Sequence, residues 1–302
     1  MTSDIRIGIS GWRYPPWRKV FYPERLRQAS ELHFASRALP TIEINGTFYG
    51  LQRPPSFARW YEETPENFVF SVKAPRYVTH ILKLNDVEKS IANFFASGLF
   101  LLKEKLGPVL WQFPPSFRFD PKQFEHFLKL LPHNTETALK QAHGREAKMH
   151  GREHLAIDET RALRHAVEIR NKSFIDPAFV ELLRAYQVAL VVADTAGKWP
   201  HYEDVTADFI YMRLHGDEEL YASGYTDAAL DRWATRIRAW TRGDQPQDAH
   251  LISATLPASR KTRDVYCYFD NDIKVKAPFD ARKLLQRLDR EDGLTPLDWS
   301  KA

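Results

Sequence analysis

Acidic, basic and imidazole side chains recur at the ends of apolar runs in this sequence. Glu43, Lys73, Glu168, Arg213 and His215 each stand near the end of such a run. Carboxylates and imidazoles can transfer protons, and lysine and arginine hold phosphate or carboxylate groups by charge and hydrogen bonding. We therefore predict a protein that binds a small anionic substrate, bearing phosphate or carboxylate, and that as an enzyme would transform it by acid/base or metal-assisted chemistry.

The predicted site divides into groups that would act on the substrate and groups that would hold it. The candidates for catalysis are Glu168, His215, Glu43 and Asp194. The candidates for substrate binding are Lys73, Arg170, Arg213, Asn45, Gln112, His80, Trp12 and Asn271. Such an enzyme would be a hydrolase, a lyase or an isomerase. A non-catalytic sensor of small anions would use the same groups without turnover.

A divalent metal is one version of this chemistry. Glu43, Glu168, Asp194 and His215 have the donor types that such an ion binds, as in the apurinic endonuclease and sugar isomerase barrels. Three cationic side chains in the same region would compete with a metal for the carboxylates. The sequence leaves the metal-dependent and the metal-free versions open.

The same charges have a structural alternative. Glu168 with Arg213, or Glu43 with Lys73, could form ion pairs that close the core. A barrel interior that serves packing alone is filled by branched apolar side chains in layers. A polar set at the ends of many strands therefore favours a functional site.

Aromatic residues beside basic ones indicate a second class of function. Trp12, Tyr14, Trp17, Phe48, Tyr49 and Tyr77 accompany Arg13, Arg18, Lys19, Arg53 and Arg76. Such a surface could stack on bases and hold a phosphate backbone, as in a nucleic-acid-binding barrel that resembles the apurinic endonucleases. The alternative is that these rings pack loops onto the fold. The net charge of +4 permits a nucleic-acid partner without requiring one.

Three further chemistries fit the residues less well. Glycosidases need two carboxyl groups, commonly on strands four and seven of a barrel, where this chain has Gln112, Arg213 and His215. A Schiff-base role for Lys73 needs a neutral amine, whereas nearby acids favour the protonated form. Cys267 lies within a strand-like run, where a core position is more typical than a nucleophile.

Eight apolar, β-branched and aromatic runs have the length of strands. They are Ile5–Trp12, Thr41–Tyr49, Phe68–Ala74, Val109–Phe113, Ala166–Arg170, Val188–Thr195, Phe209–His215 and Val265–Asp270. Segments with helical periodicity separate them, such as Pro54–Glu63 and the segment that follows the capping pair Asp176-Pro177. This alternation predicts a single α/β domain, residues 1–302, folded as a closed (β/α)8 TIM-type barrel.

Alternation along each strand predicts which side chains face the barrel interior. In the second run Glu43, Asn45 and Thr47 share one face, and the opposite face is apolar. A carboxylate on the outer face would be buried against helices, so the polar set is predicted to face inward. The same argument places further side chains of the other runs inside: Lys73, Gln112, Glu168, Arg170, Asp194, Arg213, His215 and Asp270.

A charged stretch, residues 133–164, separates the fourth helix from the fifth strand. It contains a short repeat, His143-Gly144-Arg145-Glu146 and His150-Gly151-Arg152-Glu153. The stretch could be a lid or a metal-binding histidine patch, or a solvated and mobile excursion. Because it joins a helix to the start of a strand, we expect it to project from the bottom face, away from the usual site.

The composition of the sequence bears on where in the cell the protein is expected. No apolar run approaches the roughly 20 residues that a membrane helix needs, so no membrane partner is expected. The segment Met1-Thr2-Ser3-Asp4 lacks the pattern of a signal peptide. With one cysteine, disulfides cannot hold the fold, and we expect the reducing environment of the cytoplasm. The oligomeric state is not indicated.

Several motifs resemble the YecE-like family, the domain of unknown function 72. They are Gly8-Ile9-Ser10-Gly11-Trp12, Glu43-Ile44-Asn45, Phe70-Ser71-Val72-Lys73-Ala74, Leu110-Trp111-Gln112-Phe113-Pro114-Pro115, Glu168-Ile169-Arg170, Tyr211-Met212-Arg213-Leu214-His215-Gly216 and Tyr268-Phe269-Asp270-Asn271. The resemblance spans almost the whole chain and implies a TIM-type barrel with its site at the C-terminal mouth. It implies no established activity. Many members carry two asparagines where this chain has Asp270-Asn271, and the insertion falls outside the family pattern.

Overall fold

Eight parallel strands close into a barrel in sequence order. The computed structural model describes residues 3–301; Met1 and Thr2 of the N-terminal segment, and Ala302, lie outside the described residues. The strands are β1 Ile5–Ser10, β2 Thr41–Ile44, β3 Val69–Lys73, β4 Leu106–Gln112, β5 His165–Glu168, β6 Ala189–Asp194, β7 Phe209–Leu214 and β8 Asp264–Phe269. Each pairs with the next, and β8 pairs with β1. The predicted α/β barrel is confirmed.

Helices connect the strands, and most of them cover the outside of the barrel. They are α1 Glu31–Ala38, α2 Gly46–Tyr49, α3 Pro54–Glu63, α4 Glu88–Ala96, α5 Pro121–Lys129, α6 Thr135–Ala142, α7 Pro177–Ala185, α8 Asp227–Thr241 and α9 Ala277–Arg287. The start of α7 shows why the pair Asp176-Pro177 predicts the beginning of a helix. Asp176 accepts a hydrogen bond from the backbone N–H of Ala178, and Pro177 occupies the first turn, where its missing N–H costs nothing.

The second strand is shorter than its apolar run. β2 ends at Ile44, and α2 follows as one helical turn. The prediction that Thr47 continues the alternation of Glu43 is therefore wrong. The hydroxyl of Thr47 instead donates to the backbone carbonyl of Lys73 at 2.6 Å, which ties this turn to the end of β3.

The buried residues form two layers. An outer cluster between strands and helices is rich in aromatic rings, such as Phe113 and Phe124. The inner cluster is smaller and includes Leu110, Tyr211 and Tyr268. The inner tyrosines bring hydroxyls into the barrel, so the interior changes from apolar to polar toward the C-terminal ends of the strands.

Residues 133–164 pack along the barrel rather than projecting from it. The segment contains α6, which lies against α4, and a short 3-10 turn at Ala147–Met149. Arg145 of the first repeat pairs with Glu153 of the second at 2.8 Å. The backbone N–H of Glu146 donates to Asn93 at 2.9 Å. These contacts contradict the expected excursion from the bottom face, because the apolar side of α6 needs a packing partner.

Within residues 3–301, the structure has no helix with the length and apolar character required to cross a membrane. Cys267 lies in β8 and is fully buried. Burial raises the pKa of its thiol well above the usual range, which fits a core residue better than a nucleophile.

Candidate functional site

Arg213 lies at the centre of an ion-pair network inside the barrel. Its Nη1 is 2.8 Å from Glu168 Oε2, and its Nη2 is 2.9 Å from both Glu43 Oε1 and Asp270 Oδ2. Nη2 also donates to Ser10 Oγ at 3.0 Å. Arg213, Glu43 and Glu168 are each 0% exposed. One guanidinium therefore links residues from β2, β5 and the end of β8.

A layer of hydroxyls supports the network from below. The Tyr211 hydroxyl donates to Glu43 Oε2 at 2.6 Å and lies 2.6 Å from Ser71 Oγ. Tyr268 and Thr41 share a hydrogen bond at 2.9 Å. Buried charges are costly unless their remaining lone pairs are satisfied, and these hydroxyls satisfy them.

The network fixes the charge of its members. Burial alone would raise the pKa of Glu168, but the positive charges of Arg170 and Arg213 outweigh it and hold that pKa well below the usual range. The same balance, dominated by Arg213, lowers the pKa of Asp270. Burial and then Arg213 lower the pKa of His215, whose Nδ1 lies 3.0 Å from Asp270 Oδ2. Glu168 and Asp270 are thus charged and the imidazole of His215 is neutral at pH 7.

A cavity of about 750 Å³ opens at the C-terminal ends of the strands. Its charged lining consists of Arg13, Lys73, Arg76 and Arg170 with two carboxylates, Asp270 and Asp272. The other aromatic and polar side chains are Trp12, Tyr14, Phe48, Tyr49, Trp60, Tyr221, Asn45, Gln52, His80 and Gln112. The lining has more cations than anions, and Asp270 is already paired with Arg213. This arrangement is suited to an anion with an organic part.

Arg170 is held in place on three sides. Its Nε donates to Glu168 Oε1 at 2.8 Å, and its Nη2 donates to Gln112 Oε1 at 3.1 Å. The flat face of the guanidinium lies 3.7 Å from the ring centre of Trp199. Among the residues that the structure describes, Nη1 has no hydrogen-bond partner. This nitrogen is the donor that Arg170 can offer to a ligand.

Lys73 enters the cavity from the end of β3. It is 8% exposed, and its Nζ lies 4.3 Å above the ring of Phe48 without a hydrogen bond or ion pair to any residue from 3 to 301. Burial, and then the charge of Arg213, lower its pKa to about 8, although Glu43 and Glu168 act in the opposite sense. Glu43 and Glu168 offset the effect of burial only in part, because both are already paired with arginine, and the amine is still mostly protonated at pH 7.

Two other cavity groups, His80 and Asp272, have pKa values closer to neutrality than those of Glu168 and Asp270. Burial, Arg76 and Arg170 lower the pKa of His80 to about 4, so its imidazole is neutral at pH 7. Burial and the charge of Asp270 raise the pKa of Asp272 to about 6. His80 can accept a proton, and Asp272 can donate or accept one near physiological pH.

Comparison with known proteins shows the family. Residues 6–301 match the family described as "Protein of unknown function DUF72". The chain belongs to the DUF72 family. One relative is the UPF0759 protein YunF of Bacillus subtilis, 23% identical over 97% of this chain and 98% of its own length. Another is the UPF0759 protein YecE of Escherichia coli K12, 28% identical over 42% of this chain and 44% of its own length.

Solved structures of DUF72 proteins share the fold. One from Thermotoga maritima has a TM-score of 0.70 and 24% identity, covering 95% of this chain and 99% of that one. One from Enterococcus faecalis has a TM-score of 0.68 and 19% identity, covering 97% and 99%. These likenesses concern the barrel alone. The family predicted from the motifs is confirmed, and the names of these relatives specify no substrate.

The structure of this DUF72 protein places the predicted residues in three groups. Six line the cavity: Trp12, Asn45, Lys73, His80, Gln112 and Arg170. Their roles in binding stay predictions. Four others, Glu43, Glu168, Arg213 and His215, are buried in the network and do not line the cavity. The structure thus does not place Arg213 where it could hold a ligand, because three carboxylates surround its guanidinium.

Asp194 belongs to a third group that lies away from the network. In the sheet register Ala193 pairs with the inward-facing Arg213, so Asp194 points to the other side. Its carboxylate accepts a hydrogen bond from the Tyr225 hydroxyl at 3.1 Å. The predicted inward orientation is wrong, because Tyr225 supplies the partner that makes an outward carboxylate tolerable.

Asn271 also has a different place from the predicted one. Its amide donates to Asp280 Oδ2 and to the backbone carbonyl of Ser223, both at 2.9 Å. It therefore ties the end of β8 to α9 and to the loop after β7. The neighbouring Asp270 stands where the family resemblance implies asparagine, and it adds a charge to the network that an amide would not supply.

The predicted metal ligands do not converge. Glu43 and Glu168 are both bonded to Arg213, Asp194 faces away, and His215 is beside Asp270. Over residues 3–301 the structure has no group of three or more His, Cys, Asp or Glu side chains that could hold a metal ion. The guanidinium occupies the position between the carboxylates that a cation would need.

Some of the aromatic residues considered for nucleic-acid binding are buried, and others are exposed. Trp12, Trp17 and Phe48 are buried, as the packing interpretation predicts. Tyr49 and Tyr77 are 74% and 49% exposed. A second cavity of about 400 Å³ adjoins these two tyrosines.

Some lining residues were not among the predicted site residues. Asp270 was placed inward by strand alternation but given no role. Asp272, Tyr221 and Gln52 lie in loops, and Trp60 lies on α3. Loop residues carry no periodicity, so the sequence held no signal that would bring the three loop residues to the cavity.

Proposed function

We propose that this DUF72 protein binds a small organic anion, bearing phosphate or carboxylate, at the C-terminal mouth of the barrel and transforms it by acid/base chemistry. The observation that carries the proposal is the fixed guanidinium of Arg170. It is bonded to Glu168 and Gln112, stacked on Trp199, and has one nitrogen left for a ligand. A group that is already ordered loses little conformational entropy on binding.

The surrounding charges support the same proposal. Arg13 and Arg76 are exposed at the rim and would attract an anion from solution. Lys73 adds positive charge at the floor while it is protonated. His80 and Asp272 line the same cavity and are the groups that we propose for proton transfer, in place of the buried Glu168 and His215.

Calorimetric titration with sulfate and with inorganic phosphate tests the binding step. Arg170→Gln should weaken both by about tenfold or more, since a hydrogen bond to a charged group contributes roughly 1.5–3 kcal/mol. Lys172→Gln makes the same charge change two residues away on an exposed side chain and should leave affinity unchanged. Equal effects of the two substitutions, or no binding at millimolar concentration, would contradict the proposal.

The exposed tyrosines favour a second candidate, binding of single-stranded nucleic acid. Tyr49 and Tyr77 could stack on bases while Arg76 contacts phosphate. Affinity for a short single strand should then fall steeply with salt and weaken with Tyr49→Ala. Binding that is undetectable or insensitive to salt removes this candidate.

We further propose the cytoplasm as the location of the protein. Its single cysteine, Cys267, is buried in β8, so the fold uses no disulfide and suits a reducing compartment. Fractionation of cells that express the tagged protein tests this. Recovery in an oxidising extracytoplasmic fraction would contradict it.

A further inference from the structure

We propose that Lys73 is a nucleophile that forms an imine with a ketone or aldehyde bearing a phosphate or carboxylate group. The inference rests on the proposed function, because the anionic group would position the carbonyl carbon. The side chain leaves the C-terminal end of β3, lines the cavity and ends over Phe48. It lies on the same mouth as Arg170, which would hold the anion.

The unpaired state of Lys73 is the unusual feature. Lysines are almost never this deeply buried unless an acid accompanies them. Here Glu43, Glu168 and Asp270 are engaged by Arg213, and Glu168 also by Arg170. The ammonium is thus left without a partner in residues 3–301, next to a ring. A desolvated lysine beside other cations is the environment in which the neutral, nucleophilic amine becomes available.

The spacing of the strands suits a short ligand. Lys73 ends β3 and Arg170 follows β5, with β4 and Gln112 between them. Neighbouring strands lie about 4.8 Å apart, so the two backbones are separated by roughly 10 Å. Both side chains reach into the cavity. A chain of a few carbons, with its oxyanion at Arg170, can therefore present a carbonyl group to Lys73.

The reaction balances without a further reactant. The lone pair of the neutral amine attacks the carbonyl carbon, the C–N bond forms, and one amine proton moves to the oxygen. A second proton, from Asp272 or solvent, lets that oxygen leave as water, and a protonated imine remains. The C–N bond polarises the neighbouring carbon, so a proton or a carbon group can leave there.

Borohydride trapping tests the inference. The native protein is incubated with dihydroxyacetone phosphate or pyruvate and reduced with sodium borohydride, which adds hydride to the imine. Intact mass should rise by one probe molecule less one oxygen atom, and peptide mapping should assign the adduct to Lys73. Inorganic phosphate in excess should suppress the adduct formed with dihydroxyacetone phosphate.

Three variants complete the test. Lys73→Arg and Lys73→Met should each reduce the adduct at least tenfold, and their melting temperatures show whether they fold. Lys198→Arg changes an exposed lysine near the same mouth, 5.2 Å from the ring of Trp199, and should label like the wild type.

The outcomes separate the two proposals. An adduct on Lys73 supports the inference independently of the variants. If the probe raises the melting temperature but forms no adduct, the proposed imine at Lys73 is overturned and the proposal of anion binding is supported. If the probe neither stabilises the protein nor forms an adduct, both proposals are overturned. An adduct spread over surface lysines overturns the inference about Lys73.

Discussion

The guanidinium of Arg170 lies over the indole of Trp199, 3.7 Å from the ring centre. A cation over an aromatic face at this distance is attracted by the electron density of the ring. Trp199 comes from the loop after β6, whereas Arg170 follows β5, so a loop residue fixes the orientation of a strand-end cation. We infer that Trp199 is a positioning residue for the anion site.

Removing this ring should weaken anion binding without removing a charge. Trp199→Ala is expected to raise the Kd for sulfate about twofold to thirtyfold, since such contacts contribute roughly 0.5–2 kcal/mol. Trp199→Phe keeps an aromatic face and should recover most of the affinity. Titration calorimetry on both variants checks this, and equal loss in the two would contradict a stacking role.

Arg213 should be a stability residue rather than a ligand-binding one. Arg213→Met removes the cation that Glu43, Glu168 and Asp270 share, and of these three only Glu168 keeps another arginine, Arg170. Loss of one partner from a buried pair costs about 3–5 kcal/mol, which we expect in the free energy of unfolding measured with urea. Lys140→Ala breaks only the exposed pair with Glu136 and should stay close to the wild type. A stable Arg213→Met protein that has lost only sulfate affinity would contradict this assignment.

Sulfate affinity should fall as pH rises through about 8, because Lys73 then loses its proton and the cavity loses a cation. Sulfate is the suitable probe, since its own charge is constant in this range. Lys73→Arg keeps a charge at this position, so its affinity should vary little with pH. A calorimetric pH series checks both proteins. A flat profile for the wild type, or the same fall in Lys73→Arg, would contradict the lowered pKa.

Asp270 should stabilise the fold above about pH 4, the ordinary pKa of an aspartate, because its native pKa is lowered. Its contribution should be lost as pH falls toward that lowered value. Asp270→Asn is therefore expected to reduce the free energy of unfolding at neutral pH by about 1–3 kcal/mol. The difference from the wild type should shrink on acidification. Urea unfolding at several pH values checks this, and a difference independent of pH would contradict it.

The sequence alone determined the barrel and most of its inward-facing polar set. Strand composition and alternation are local properties, so they located all eight strands and put Lys73, Gln112, Glu168 and Arg213 on the inner face. The motif order also indicated the family. The helix cap at Asp176 could also be predicted, because its side chain accepts a hydrogen bond from a backbone N–H only two residues away.

Only the tertiary structure decided which of these charges are available. Arg213 meets Glu43, Glu168 and Asp270 from three other strands, and no local pattern specifies that it takes all three. Because those acids are paired with Arg213, Lys73 has no ion-pair partner within the described chain. Electrostatic energy depends on distances between residues far apart in sequence, whereas periodicity reports only on neighbours along the chain. The folded barrel thus separates a structural arginine from the lysine and arginine that face the cavity.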